Sequence, residues 1–328
     1  MPLKTRILVT GSLGQVGSEL VPALRRLYGA DQVIASDVRM MSREQLLRTE
    51  GPFEFLDCTN ARQIQEMVRR YDVGTIFHLV ALLSATGESR PQVAWDVNMG
   101  SLYNVLEVAR QNRSAVFFPS SIGAFGPGTP RLATPQDTIQ RPTTMYGVTK
   151  VAGELLCDYY HQRFDVDARG VRFPGIISHG APPGGGTTDY AVEIFYEAIR
   201  HKHYSCFLKP DTRLDMMYMT DAVKATIDVM EADASRLVHR NAFNVTAMNF
   251  TPEELGAEIR KHVPGFVLDY RIDPVRQAIA DSWPASLDDG AARSEWNWNP
   301  QYDLSAMVVE MLENLERKLS QEIDEHAR

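Results

Sequence analysis

Cysteine is scarce in this chain of 328 residues, which has only Cys58, Cys157 and Cys206. Because the three are odd in number and far apart, they build neither a disulfide framework nor a paired-cysteine zinc site. We therefore expect no bound metal. Free thiols fit a reducing compartment, so a cytoplasmic location is expected.

Long apolar runs are also missing, since none approaches the roughly 20 residues that a membrane helix needs. A strand pattern begins within the first ten residues, so no presequence is expected. Acidic residues outnumber basic ones, 42 against 34, and no basic cluster interrupts that balance. The sequence therefore predicts neither a membrane nor a nucleic acid as a partner.

The first half of the chain alternates strand-like and helical patterns regularly. This alternation predicts an α/β fold built on a doubly wound parallel Rossmann sheet. The predicted strands are Arg6–Thr10, Gln32–Asp37, Phe53–Leu56, Thr75–Leu79, Ala115–Pro119 and Val166–Phe173; the predicted helices are Gly14–Tyr28, Ala61–Tyr71, Pro91–Arg110 and Thr144–Phe164.

After about residue 175 the pattern changes at a stretch rich in proline and glycine, Gly180–Gly186. The elements predicted beyond it are a short strand at Met216–Met219, a helix that starts at the capping box Thr251–Glu254, and an amphipathic helix at Asp303–Arg328. We predict a first domain at residues 1–175 that carries the nucleotide and catalytic motifs. Residues 176–328 form a smaller α/β lobe that mainly binds substrate and is interleaved with the first domain.

A glycine-rich turn follows the first predicted strand and opens the first predicted helix. Glycines at such a turn let the backbone approach a pyrophosphate, whose charge the helix N-terminus stabilises. The spacing is GxxGxxG instead of the commoner GxGxxG, and plain turn chemistry is the alternative. The strand–turn–helix context favours a dinucleotide site, formed by Gly11, Leu13, Gly14, Gln15, Val16 and Gly17.

Two acidic residues at strand ends are candidate contacts for the adenosine half of that dinucleotide. Asp37 ends the second predicted strand, where a carboxylate accepts hydrogen bonds from ribose hydroxyls and repels a 2′-phosphate, which favours NAD over NADP. Arg39 lies nearby and is the one residue that argues against this preference for NAD, unless it is a solvated surface charge. Asp57, at the end of the third predicted strand, is a candidate adenine contact, with a helix cap as the alternative.

Tyr146 and Lys150 lie four residues apart in a predicted helix and therefore share one face. An adjacent ammonium favours a phenolate, and lowering a phenol pKa by about three units takes roughly 4 kcal/mol. We predict that Tyr146 is a general base for an alcohol proton, assisted by Lys150. Ser121, at the end of the fifth predicted strand, orients the substrate oxygen, or else caps local backbone.

These motifs, with His78–Ala81 and Pro119–Ser121, resemble the extended short-chain dehydrogenase/reductase family over essentially the whole chain. The resemblance implies NAD as the cofactor and a second role for Lys150 in binding the nicotinamide ribose. It also implies that Asn98 completes a proton relay, for which a buried helix-capping role is the alternative. The other cofactor contacts that it implies are Leu79, Ala81 and Ile176.

Longer segments resemble the L-threonine-oxidising members of that family; they are His78–Ala85, Ser121–Pro127, Gly184–Tyr190 and Arg213–Tyr218. This resemblance implies that L-threonine is oxidised at its 3-hydroxyl to 2-amino-3-oxobutyrate. It also implies a homodimer formed through a four-helix contact of the predicted helices Pro91–Arg110 and Thr144–Phe164.

An amino-acid substrate brings a carboxylate, for which the sequence offers a glycine-rich turn that enters a helix. Free N–H groups at Gly186 and the hydroxyl of Thr187 are suited to an anion, although helix capping by Thr188 or Asp189 explains the same letters.

Two further residues are candidate substrate contacts. Ser84 follows the fourth predicted strand and is placed to meet the amino or hydroxyl group of the substrate. Arg131 lies in the loop Gly123–Gln140 and is a candidate lid residue, or else a surface arginine.

Two other functions stay open. A nucleotide-sugar epimerase or dehydratase would share every cofactor motif and would need room for uridine diphosphate in the second lobe. A non-catalytic NAD-sensing protein would be expected to lose Tyr146 or Lys150, and both are present.

Overall fold

The computed structural model describes residues 6–42, 45–46, 49–180, 184 and 186–326. Parts of two sequence predictions therefore lie outside the described residues. These parts are 181–183 and 185 in the proline- and glycine-rich stretch, and 327–328 in the terminal helix.

Within that part of the chain, the largest sheet is parallel and six-stranded. In spatial order its strands are β3 (Phe53–Phe55), β2 (Val33–Asp37), β1 (Ile7–Thr10), β4 (Thr75–His78), β5 (Ala115–Phe117) and β7 (Ala168–Arg169). Strand order reverses between β1 and β4, which is the switch point at which Rossmann folds bind dinucleotides. This order confirms the predicted fold class.

Helices cover both faces of the sheet. Alternate residues of β1 point to opposite faces, so each face has apolar side chains for the helices to cover. Ile7 and Val9 pack on α1 (Gly17–Tyr28), and Leu8 packs in a separate cluster on the other face. The helices that supply this second face are α2 (Ala61–Tyr71), α4 (Pro91–Asn112) and α5 (Met145–Phe164), and the short α3 (Ser84–Ser89) precedes α4.

The prediction of one strand at Val166–Phe173 is wrong, because the chain changes sheets at Gly170. A side chain there is impossible, since an added Cβ would lie 2.0 Å from the carbonyl oxygen of Phe118. Beyond this close approach, β8 (Val171–Phe173) leaves the main sheet and pairs with β6 (Ser120–Ser121) and β12 (Phe243–Asn244). The fifth predicted strand likewise ends at Phe117, two residues early.

The second half of the described chain adds two small sheets. β9 (Gly175–Ile177), β11 (Leu214–Tyr218) and β13 (Met248–Phe250) form one, and β10 (His203–Cys206) and β14 (Val267–Tyr270) form the other. The surrounding helices are α6 (Tyr190–His201), α7 (Met219–Glu231), α8 (Pro252–His262), α9 (Pro274–Asp281), α10 (Gly290–Trp296) and α11 (Leu304–His326).

Two predictions in this half can be compared directly with the structure. The capping box is confirmed, since Thr251 Oγ1 accepts from Glu254 N at 3.2 Å and Glu254 Oε2 accepts from Thr251 N at 2.9 Å. The strand predicted at Met216–Met219 begins earlier, at Leu214, and Met219 starts α7. None of the described helices is both long and apolar enough to cross a bilayer.

The two halves of the chain share their hydrophobic cores. Met217, Trp296 and Trp298 pack in the same cluster as β1 and α1, although they follow residue 176. In the other direction, Phe125 packs in the cluster built mainly by the second half. Residues of both halves therefore build the walls of the space between them, and the candidate site lies there.

Candidate active site

A cavity of about 270 Å³ lies at the carboxyl ends of β1 and β4, next to β6 and β9. Sites in doubly wound sheets form at this edge. Most of the residues predicted from the sequence line it: Gly11, Gly14, Gln15, Val16, Gly17, Leu79, Ala81, Ser84, Ser121, Tyr146, Lys150, Ile176, Gly186 and Thr187.

The glycine turn is shaped for close backbone approach. Gly11 has a φ of +71°, and a Cβ there would lie 3.1 Å from the carbonyl carbon of Leu79. A Cβ on Gly17 would lie 2.6 Å from the carbonyl oxygen of Gly11. No side chain caps the first turn of α1, and Gln15, Val16 and Gly17 at its start line the cavity, where the N-terminus of a helix favours an anion. These features fit a dinucleotide pyrophosphate.

Asp37 lies beside this turn and is 5% exposed. Its carboxylate accepts from Leu13 N at 3.0 Å, from Arg39 N at 2.9 Å and from Arg39 Nε at 3.1 Å. Burial alone would raise the pKa of Asp37, but the hydrogen bonds from Arg39 and Leu13 outweigh it and lower that pKa. Asp37 is therefore ionised and ties the end of β2 to the glycine turn. Arg39 is its ion-pair partner and not an isolated surface charge.

Asp57 lies outside the cavity, in the turn before α2. Its Oδ1 accepts from Thr59 N at 2.9 Å and from Thr59 Oγ1 at 2.7 Å. The N-cap of α2 is Asn60, whose side chain accepts from the first helical N–H groups. The alternative that Asp57 caps this helix is therefore wrong.

Asn98 lies in the middle of α4, so its helix-capping alternative is also wrong. Its Oδ1 accepts from Leu82 N at 2.7 Å, and its Nδ2 donates to Leu82 O at 3.1 Å and to Thr149 Oγ1 at 3.1 Å. Thr149 in turn donates to the carbonyl of Tyr146 at 2.8 Å. Asn98 therefore joins the loop after β4 to the helical turn that carries Tyr146.

Tyr146 stands in the first turn of α5, whose N-terminus is fixed by Thr144 Oγ1 accepting from Gly147 N at 3.1 Å. Ser121 lies close enough to the phenol to favour its ionised form. Burial raises the pKa of Tyr146 to about 12, and the contact with Ser121 lowers it only in part. As a base, this phenol needs nearby positive charge.

Lys150 supplies a cation at this position. Its Nζ lies 5.3 Å from the ring centroid of Tyr146 and donates to Pro119 O at 2.6 Å. Burial lowers the pKa of Lys150 to about 8. The pKa of Lys150 thus lies close to neutral pH, where small changes in local charge decide whether the side chain is protonated.

The turn before α6 forms the opposite wall. Thr187 is 4% exposed and lines the cavity with Gly186. Asp189 is the N-cap of α6 but makes no side-chain cap hydrogen bond; its Oδ2 accepts from Gly186 N at 2.7 Å. The side chain of Asp189 therefore shapes the turn and does not cap the helix. The prediction of a free N–H at Gly186 is wrong, because Asp189 already accepts from it.

Trp283 also lines the cavity, and no sequence motif predicts it. Arg131, a predicted lid residue, is exposed and lies outside the cavity. Its Nη1 donates to Asp281 O at 2.5 Å, and its carbonyl accepts from Ala285 N at 2.8 Å. The loop of Arg131 therefore fastens the segment that carries Trp283. Partners so far apart in the chain leave no local pattern.

Comparison with known proteins agrees with this geometry. Residues 7–246 match the model of the NAD dependent epimerase/dehydratase family. An uncharacterized epimerase/dehydratase of Staphylococcus haemolyticus is 56% identical over 313 residues, which are 95% of this chain and 98% of that relative.

Solved structures point to a narrower group. The X-ray structure of L-threonine dehydrogenase from Clostridium difficile has 55% identity and a TM-score of 0.93, over 96% of this chain and 98% of that one. A monomeric L-threonine 3-dehydrogenase from a metagenome has 44% identity and a TM-score of 0.90, over 95% and 99%. The family match, the Rossmann sheet and the glycine turn agree: this chain belongs to the NAD-dependent epimerase/dehydratase family, and its cofactor is NAD.

Proposed function

We propose that this enzyme oxidises the 3-hydroxyl of L-threonine to 2-amino-3-oxobutyrate. The observation that carries the proposal is one cavity that joins the Tyr146–Ser121 pair to the Gly186–Thr187 turn. The first pair is suited to bind a secondary alcohol, and the hydroxyl of Thr187 is suited to a carboxylate. The similarity to L-threonine dehydrogenases supports the same substrate.

The residues divide the work as follows. Ser121 and Tyr146 hold the substrate hydroxyl, and Tyr146 removes its proton. Lys150 lowers the pKa of Tyr146 through its positive charge and binds the nicotinamide ribose. Bound NAD⁺ would supply the hydride acceptor for C3 of the substrate, so that the ketone would form together with NADH and one proton. The N-terminus of α1 holds the pyrophosphate.

Recognition of the amino acid falls to the second wall. The hydroxyl of Thr187 meets the carboxylate, and Ser84, the first residue of α3, meets the amino group. Trp283 covers the remaining side and limits the room for larger substrates. A site that hydrogen bonds charged groups rejects analogues that lack them.

We also propose that two copies associate through α4 and α5. Both helices expose large apolar side chains, among them Trp95, Tyr103, Leu155 and Tyr159, which are 46–62% exposed. Large exposed apolar side chains on two packed helices are typical of a protein interface. Because one relative is described as monomeric, this association needs its own test.

The deciding experiment follows NADH absorbance after purified protein and NAD⁺ are mixed with L-threonine, in parallel with a panel of uridine diphosphate sugars. We expect NADH with L-threonine only. Epimerised sugar without net NADH would replace the proposal with a nucleotide-sugar epimerase. NAD⁺ binding without turnover of any compound would favour a sensing role.

A further inference from the structure

Glu154 lies one helical turn beyond Lys150 on α5. Tyr146, Lys150 and Glu154 are spaced by four residues, so they form one stripe on the helix. Glu154 is 3% exposed. A carboxylate that is buried this deeply needs several donors, because an isolated buried charge is very costly.

Glu154 has these donors, and the strongest is Arg172 of β8. Arg172 Nε donates to Glu154 Oε1 at 3.0 Å, and Arg172 Nη2 donates to Glu154 Oε2 at 2.9 Å. Gln140 Nε2 adds a hydrogen bond to Oε2 at 2.7 Å. Buried ion pairs contribute little stability beyond apolar residues of the same volume. Stability alone therefore gives a weak reason for a charge pair at this place.

A further donor connects Glu154 to the catalytic serine. Ser120 Oγ donates to Glu154 Oε1, and Ser120 immediately precedes Ser121. The preceding residue, Pro119, accepts from Lys150 Nζ at 2.6 Å. Two consecutive residues are thus bound to two consecutive turns of α5. Ser121 follows them directly, so these two bonds tie the chain that leads into Ser121 to the helix that carries Tyr146.

We infer that Glu154 is a positioning residue of the reaction, which holds Ser121 against Tyr146 and places a negative charge one turn from Lys150 so that the ammonium persists. This inference rests on the proposed function. Burial lowers the pKa of Lys150, and the charge of Glu154 acts against that shift. Without it, Lys150 would lose its proton at a lower pH and leave Tyr146 without its cation.

Other charged and titratable groups also face this stripe. Cys157 and Asp158 follow on α5, and Arg172 lies on β8. On β4, burial and the charge of Lys150 lower the pKa of His78 to about 3, so that histidine is neutral. A second, polar cavity reaches Glu154 from the other side; its charged and titratable lining residues are Asp137, Asp158, His161, Arg172, His239 and Arg240.

The test compares Glu154→Gln with Arg172→Gln, which remove opposite charges from the same ion pair. Loss of the negative charge lowers the pKa of both Tyr146 and Lys150, so both limbs of the pH profile of kcat/KM should move to lower pH. Loss of the positive charge should move both limbs to higher pH. Each shift should be on the order of one pH unit. Glu154→Asp keeps the charge and should restore the wild-type limbs.

A second readout does not depend on turnover. The phenolate of Tyr146 is titrated by ultraviolet absorbance, with and without NAD⁺, as the difference between each variant and its Tyr146→Phe counterpart. Opposite shifts in the two variants support the inference. Slower turnover with unmoved titrations, or shifts of the same sign, would make Glu154 purely structural and overturn it.

The two proposals fail separately. If wild type does not oxidise L-threonine while the tyrosine titrations still shift in opposite directions, the substrate is wrong and the role of Glu154 stands. If Glu154→Gln does not fold, Arg172→Gln against Arg172→Lys decides alone. The glutamine variant should then shift to higher pH and the lysine variant should not.

Discussion

The proposed chemistry depends on one phenol, that of Tyr146, whose pKa lies far above neutral pH. Burial raises the pKa of Tyr146 to about 12, so at neutral pH only about one phenol in 10⁵ would be ionised without help. Lys150 and the bound cofactor must supply the difference. The reaction therefore depends on positive charge near Tyr146 as much as on the phenol itself.

Replacing Tyr146 with Phe removes the base and keeps the ring. We expect turnover of L-threonine to fall at least a hundredfold, since general acid–base groups contribute about 10²–10⁴-fold. NAD⁺ affinity, measured by calorimetry, should change little because the glycine turn is untouched. Near-normal NADH formation by this variant would show that another group takes the proton.

Thr187 gives a sharper test of substrate recognition. If the hydroxyl of Thr187 binds the carboxylate, Thr187→Ala should lower kcat/KM for L-threonine, with a loss of transition-state stabilisation of roughly 1–3 kcal/mol. Thr187→Ser keeps the hydroxyl and is the matched control, which should stay close to wild type. Equal kinetics for wild type and both variants would mean that Thr187 only lines the cavity and does not bind the carboxylate.

For single residues, the sequence predicts how residues close together in the chain are arranged and misses contacts between distant ones. Tyr146 and Lys150 share one helix, and Gly11–Gly17 form one turn, so their spacing alone indicates their geometry. Trp283 reaches the cavity through contacts with a loop about 150 residues away. No pattern along the chain records such an approach.

Among the elements, helix ends are well predicted where the sequence has a residue that caps helices. Thr251 caps the helix expected after it, and Thr144, the first residue of another predicted helix, is the N-cap of that helix. Strand ends are predicted less well around Gly170, where β7 and β8 join different sheets. Apolar and polar residues alternate on both sides of Gly170, so each side has the pattern of a strand. Periodicity therefore cannot show the change of partner.

The exposed face of α4 and α5 leads to a prediction about assembly. Leu155→Glu places a charge in the proposed interface and should turn a dimer into a monomer in sedimentation analysis. Leu27→Glu is the control, because Leu27 is also a helical leucine and equally 62% exposed. A wild type that sediments as a monomer, or a dimer that survives Leu155→Glu, would exclude this interface.

At the scale of the whole molecule, a buried carboxylate links stability to pH. Asp215 of β11 accepts from Leu287 N at 2.6 Å and from Asn249 Nδ2 at 2.7 Å. Burial nevertheless raises the pKa of Asp215 to about 6. The folded state therefore binds a proton that the unfolded chain, with a pKa near 3.8, does not yet hold. Stability from this group rises as the pH falls from about 6 to 4.

Asp215→Asn abolishes this titration and isolates its effect. The free energy of unfolding of wild type relative to the variant should rise by up to about 3 kcal/mol as the pH falls through that range. Urea unfolding of both proteins at several pH values measures the difference, and the other carboxylates cancel in it. A difference that is flat with pH would contradict the raised pKa.

The seam between the loop of Arg131 and the segment of Trp283 also bears on how this enzyme can be re-engineered. Thr134 N donates to Ser286 O at 2.9 Å and Asp288 N donates to Thr134 O at 3.0 Å, so two distant pieces of chain meet edge to edge. A chimera that imports residues 281–288 from a homologue inherits only half of that seam. We therefore expect that the segment of Trp283 can be exchanged with that of a homologue only when both pieces, residues 130–136 and 281–288, are exchanged together.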